Sequence, residues 1–285
     1  MGERASGVVA DNEQITPEIM TYVAKVPEVT LIFWVIKILC TSIGEIGADA
    51  LTMSYFGETT EDVTPFWHEY GYLIGAAVFF GVFLLAVAVQ IASKKFRPAI
   101  YWTTIVATTL LGTALADYFT RSEGFGYYWG SAILLGLVLL SLIIWRVTTG
   151  TIDIGSVRTA RSEMFYWITI MFSQTLGTAL GDYVAAGEDK GLGLGYLMSG
   201  AIFGGMMIVL AILVYTTSIS RTILFWLAFI LTRPLGAVTG DYLDKPLEDG
   251  GLEMNRYILT AILLVVIVLA ILIFPQRPAT ADEAH

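Results

Sequence analysis

Long apolar stretches alternate with short polar ones along the whole chain. The apolar segments cover about residues 28–50, 72–93, 98–119, 127–147, 163–184, 196–217, 221–243 and 256–275. Most are long enough to cross about 30 Å of hydrocarbon as a helix. The even-numbered stretches are almost uniformly apolar, as in AILLGLVLLSLII and ILTAILLVVIVLAILIF. The odd-numbered ones carry polar residues at intervals of four, which places them on one side of a helix. The pattern therefore predicts an all-α integral membrane protein with eight transmembrane helices. The odd helices should line the centre and the even ones should face lipid.

The same block recurs four times, each time late in an odd stretch. Aligned on Asp49, Asp117, Asp182 and Asp241, the segments read TSIGEIGAD, TLLGTALAD, QTLGTALGD and RPLGAVTGD. A glycine precedes each Asp by five residues, and the residue just before it is always small. An aromatic pair lies sixteen and fifteen residues before each Asp: Phe33-Trp34, Tyr101-Trp102, Tyr166-Trp167 and Phe225-Trp226. Such self-similarity sets the architecture. The Asp residues are 68, 65 and 59 positions apart, so the unit is a helix pair. Two spans per unit return the chain to the same side, so all four units share one orientation and are related by rotation about the membrane normal. Four equivalent helices around one axis and two paired halves both satisfy this. The repeats occupy about 26–93, 94–147, 158–217 and 218–275 of a single transmembrane domain, 26–275. A cytoplasmic N-terminal tail, 1–25, precedes it, and a tail at 276–285 follows.

Charge adds an orientation. Lys94, Lys95 and Arg97, then Arg146, Arg158 and Arg161, then Arg221 and Arg277 fall on one side. The opposite loops collect Glu58, Glu61, Asp62, Glu69, Glu123, Glu188, Asp189, Glu248, Asp249 and Glu253. By the positive-inside bias both termini are cytoplasmic. A net charge of −9 gives no reason to expect nucleic acid. The expected partners are the lipid bilayer and a small cation, and a homo-oligomer stays open. Cys40 is the single cysteine, so no intrachain disulfide forms. Nucleotide-phosphate loops, zinc-protease motifs, nucleophile elbows and dinucleotide fingerprints are all missing from the sequence, so no enzyme activity and no cofactor are expected.

Stepping back in fours from each Asp gives four polar stripes in one register. Helix 1 presents Asp49, Glu45, Thr41 and Lys37. Helix 3 presents Asp117, Thr113 and Thr109. Helix 5 presents Asp182, Thr178 and Gln174, and helix 7 presents Asp241, Ala237 and Arg233. Ionisable groups inside membrane helices are costly and mark ion or proton pathways or internal pairs. Carboxylates with hydroxyls suit hard cations, and a bound divalent ion such as Mn²⁺ would be the substrate. The metal ligands expected are Asp117 and Asp182, completed by Asp49, Asp241 and Glu45. Lys37 and Arg233 are expected to balance charge or gate. The repeated glycines are expected to let each helix loosen and offer carbonyls. His68 and its acidic neighbours form a candidate metal-collecting patch in the first outer loop.

The segments GTALADY, GTALGDY and RPLGAVTGDYLDKP with the following GGL resemble a bacterial family of polytopic membrane proteins built of four copies of a repeat of unknown function. The likeness covers about residues 25–275. It implies a bacterial inner-membrane protein and supplies no substrate. The residues themselves suggest a secondary transporter or exporter of a small cation, with a divalent metal as the expected cargo and proton coupling chemically available. Two alternatives remain beside it: a scaffold whose Asp, Tyr and Arg network only holds the bundle, and a carrier of a small organic solute.

Overall fold

The computed structural model describes residues 24–56 and 65–279. Most of both predicted tails, the acidic residues Glu58, Glu61 and Asp62, and the side chains of His68 and Glu69 lie outside the described residues. The elements are α1 (Leu31–Asp49), α2 (Pro65–Ala92), α3 (Pro98–Asp117), α4 (Gly126–Thr149), α5 (Ala160–Ala185), α6 (Gly195–Thr216), α7 (Arg221–Asp244) and α8 (Arg256–Ile273). Seven of them are long and apolar enough to span a membrane. The exception is α5. It has 26 residues, but Ser173, Gln174, Thr175, Thr178 and Asp182 dilute its apolar character, and all five are buried.

The four odd helices close a ring. α1 packs on α3, α3 on α5, α5 on α7, and α7 returns to α1. The even helices form an outer layer, displaced by one position. α2 lies against α3, α4 against α5, α6 against α7, and α8 comes back to α1. Each unit is thus a hairpin in sequence whose second helix packs on the next unit. Burial follows these layers: two-thirds of the best apolar window of α3 and of α7 is buried, against 11% in α8. With no hydrophobic drive between helices in lipid, small residues set the close approaches. Gly75 meets Thr52 and Gly130 meets Thr120 at equivalent places.

The repeated glycines do not loosen the helices. α1, α3, α5 and α7 run unbroken through Gly44, Gly112, Gly177 and Gly236. A Cβ on Gly44 would overlap Thr109, one on Gly112 Gln174, one on Gly177 Arg233, and one on Gly236 Thr41. Each glycine therefore admits the residue eight positions before the Asp of the next repeat, and the fourth admits that of the first. These four contacts are the ring's rotational symmetry at atomic scale. The backbone departs from α geometry later than expected, just after the Asp. Ala50–Tyr55 and Tyr118–Ser122 form π-helical turns in the first two repeats. In the other two, α5 and α7 continue for three residues beyond it.

At the aromatic end the first and last described segments meet. Pro27 pairs with Pro278, Glu28 N–H donates to Arg277 O, and Ala279 N–H donates to Val26 O. Lys25 reaches across to Glu163 at 2.7 Å and donates to the carbonyls of Gln90 and Ile91. Residues 24–28 and 276–279 thus join the ends of the first and fourth repeats.

Candidate functional site

The axis of the ring is filled by buried side chains in layers. Sixteen residues before each Asp stand Phe33, Tyr101, Tyr166 and Phe225, all buried. The Tyr101 and Tyr166 hydroxyls are 2.6 Å apart, and tryptophans of the next repeats meet Phe33, Tyr101 and Tyr166 in tilted or edge-on contacts. One turn nearer the Asp end is Lys37, whose Nζ lies 4.2 Å from the centroid of the Phe229 ring.

Eight residues before each Asp come Thr41, Thr109, Gln174 and Arg233, all fully buried. The threonines stitch neighbouring helices together. Thr109 Oγ1 donates to Cys40 O at 3.1 Å, and Thr41 Oγ1 donates to Thr232 O at 3.2 Å. Cys40 and Thr232 are equivalent positions of adjacent repeats. Four residues before each Asp stand Glu45, Thr113, Thr178 and Ala237. The small Ala237 leaves room on the axis, and the Arg233 guanidinium fills it. Arg233 Nη2 is 3.0 Å from Glu45 Oε2 and donates to the hydroxyls of Thr113 and Thr178. Its Nη1 donates to Thr41 O at 3.2 Å. Both threonine hydroxyls also lie within hydrogen-bond reach of Glu45 Oε2, at 3.2 and 3.3 Å. One knot thus draws a residue from each of the four repeats.

The Asp layer is not one open ring of carboxylates. It divides into two pairs, each bridged by a cation. Arg121 lies 2.9 Å from Asp117 and 3.3 Å from Asp182. Lys245 lies 3.2 Å from Asp241 and also pairs with Asp49. The two cations occupy the same place in the repeat, four residues after the Asp. The first and third repeats have Met53 and Ala186 there. The fourfold backbone thus carries a twofold charge pattern, repeats 2 with 3 and 4 with 1. Asp244 and Arg256 add an outer pair at 2.5 Å beside the second cluster.

The two clusters differ in one respect. Glu45, Asp49 and Asp241 each offer a carboxylate oxygen, and these three oxygens lie within 4.8 Å of one another. They form the one such group among the described residues. Asp117 and Asp182 fall outside it, held by Arg121. Asp49 Oδ1 is buried and accepts no hydrogen bond. Of the two stripe cations, Arg233 meets a carboxylate, while Lys37 meets an aromatic face. Arg121 and Lys245 lie outside the predicted polar stripes, which run from each Asp towards the aromatic pair. The signal was available: residues four apart on a helix are neighbours, and both bases stand four residues after an Asp.

A family model described as a repeat of unknown function, DUF347, matches four times in tandem, at residues 32–96, 100–151, 165–220 and 224–277. Neither the curated proteins nor the solved structures compared with the chain gave a match.

Proposed function

The chain belongs to this family of fourfold repeats, and we propose that it is a multi-pass carrier of a small cation in the bacterial inner membrane, with both termini cytoplasmic. Glu45, Asp49 and Asp241 are the ligands, and a divalent ion such as Mn²⁺ is the cargo. The supporting observation is the cluster of three buried carboxylates, two of them, Asp49 and Asp241, bridged by the Lys245 ammonium. Glu45 is already matched by Arg233. Withdrawal of Lys245 would leave Asp241 without its cation and Asp49 with only the longer 3.9 Å contact to Arg256, an excess of negative charge that a divalent cation would offset. Carboxylate oxygens are the ligands that hard cations prefer. Lys245 follows the last residue of α7, where a backbone change can carry its ammonium away from the axis. It acts as a tethered counter-ion that holds the site while no cargo is bound. Arg121 holds the other two Asp residues in a fixed half, and Thr113 and Thr178 support Glu45.

A specific observation favours a second reading. All four Asp residues have an internal cation, as expected of a scaffold whose charges only hold repeats together. Thermal unfolding of purified protein with Mn²⁺, Mg²⁺, Ca²⁺, Co²⁺ and Na⁺ separates the two, run beside Asp49→Asn and Asp241→Asn. A ligand at a hundred times its Kd stabilises by about 2.7 kcal/mol. The carrier reading requires selective stabilisation by one cation, lost in both variants, and uptake of that ion into proteoliposomes. Stability unchanged by every ion, with variants that melt well below wild type, would leave the scaffold.

A further inference from the structure

Buried cations in this fold come with carboxylates. Among the described residues four lysines and arginines are buried: Lys25, Lys37, Arg233 and Lys245. Lys25 has Glu163 at 2.7 Å, Arg233 has Glu45 at 3.0 Å, and Lys245 has Asp241 at 3.2 Å. Lys37 is the exception. It is fully buried, and its Nζ has no hydrogen-bond partner and no ion pair among the described residues. The nearest carboxylate along its own helix, Glu45, is eight residues on, roughly 12 Å of helix rise away, and it is taken by Arg233. The neighbours of Lys37 are the Phe229 face at 4.2 Å and the Cys40 thiol one turn on, and neither is a carboxylate. A cation–π contact falls far short of the cost of an isolated ammonium out of water.

Two further side chains on the same axial stripes carry unbonded polar atoms. Gln174 is fully buried, and neither its amide oxygen nor its amide nitrogen is bonded. Arg233 uses both terminal nitrogens, but its Nε–H is free. Gln174 and Arg233 stand at the same level of the ring, and Lys37 stands one turn below. This level therefore offers the Lys37 amine, an amide NH₂ and a guanidinium N–H; the acidic group beside Lys37 is the Cys40 thiol, not a carboxylate. Buried polar groups are ordinarily paired, and a water or an ion is one way such atoms are met.

We propose that the ring axis holds a second site, between the aromatic layer and the Arg233–Glu45 knot, which binds a small inorganic anion of chloride size through Lys37, Gln174 and Arg233 Nε. The anion gives Lys37 the counter-ion that every other buried cation finds in a side chain. It would also keep Lys37 from repelling a cation held nearer the Asp end. The observations behind it are separate from those behind the cation cluster.

The test is thermal unfolding of the full chain in sodium chloride against sodium gluconate. Sodium and ionic strength are fixed, so cation effects cancel. Chloride should raise the Tm by on the order of 5 °C at a hundredfold excess over its Kd. Lys37→Met replaces a buried charge with an apolar group of similar length. It should fold, melt independently of chloride, and be at least as stable as wild type in gluconate. Lys37→Arg keeps the charge and should keep the response. If Lys37→Met does not purify, Gln174→Leu serves in its place and should weaken the response at least tenfold in chloride concentration. Equal melting of wild type in the two salts would overturn the site, as would a chloride shift of the same size in Lys37→Met or an undiminished one in Gln174→Leu.

Discussion

Replacing Arg233 by methionine should destabilise the protein by roughly 3–5 kcal/mol, the usual cost of leaving one member of a buried pair alone. The structure shows what is lost: the 3.0 Å contact to Glu45 and donated bonds to Thr41 O, Thr113 and Thr178. Interhelical hydrogen bonds in membrane proteins average about 0.6 kcal/mol, so three of them account for only about 2 kcal/mol. The remainder is the stranded Glu45 charge. The double variant Glu45→Gln with Arg233→Met strands no charge and should recover at least about 2 kcal/mol of the single-variant loss. Reversible unfolding in mixed detergent, over the complete double-mutant cycle, measures the coupling. At about 2–4 °C per kcal/mol for a chain of this size class, the single variant should melt on the order of 10 °C lower. Two single-variant costs that add to within ~0.5 kcal/mol in the double, the margin for independent sites, would show that Glu45 and Arg233 do not neutralise each other.

Further outcomes follow from the same geometry. Gly177→Ala puts a methyl into the Arg233 side chain and should cost about 1–3 kcal/mol or more by overpacking. Gly136→Ala meets nothing within 4 Å and should stabilise α4 by up to ~1 kcal/mol; melting curves of the two decide. Lys245→Met and Arg121→Met should diverge. The first exposes the three-carboxylate cluster and should raise the Tm response to divalent cations, while the second should lower stability and give no new response. Equal behaviour of the two would remove the distinction between the halves. Tyr101→Phe breaks the 2.6 Å contact with Tyr166 and should cost about 1 kcal/mol, read as a Tm loss without any change in ion response.

Much of this architecture is legible in the repeat itself. The aromatic pair, the glycine and the Asp fix a common register, and the ring keeps it: Phe33, Tyr101, Tyr166 and Phe225 share one level, and Thr41, Thr109, Gln174 and Arg233 another. The polar stripes identify which helices face inwards, because Thr109 and Asp182 have no place on a lipid-facing surface. The displacement of the even helices could not be read. AILLGLVLLSLII suits any greasy groove, and its uniformity gives no direction, so nothing in α4 says that it seats on α5. The glycines were legible as positions but not as a function, since Gly177 needs its neighbour Arg233 in view before its missing Cβ has a meaning. The division of the Asp layer was within reach, because Arg121 and Lys245 break the fourfold pattern at one repeat position. Which carboxylates they would bridge depends on helix rotation, and the sequence does not contain it.

The ring is completed by contacts between its first and fourth repeats. Thr41 waits 192 residues for Arg233, and Asp49 waits 196 for Lys245. During synthesis the first three repeats emerge with Glu45 and Asp49 unmatched, the α1 edge uncovered until α8 arrives, and the segment at Pro27 unpaired until Pro278 follows. The last repeat is therefore a keystone. A chain stopped after the third would not be a smaller ring but an open arc with stranded charges, the kind of product that membrane quality control removes. The repeat number is set by this closure, and a nascent chain has to be kept from its neighbours until its own end is made.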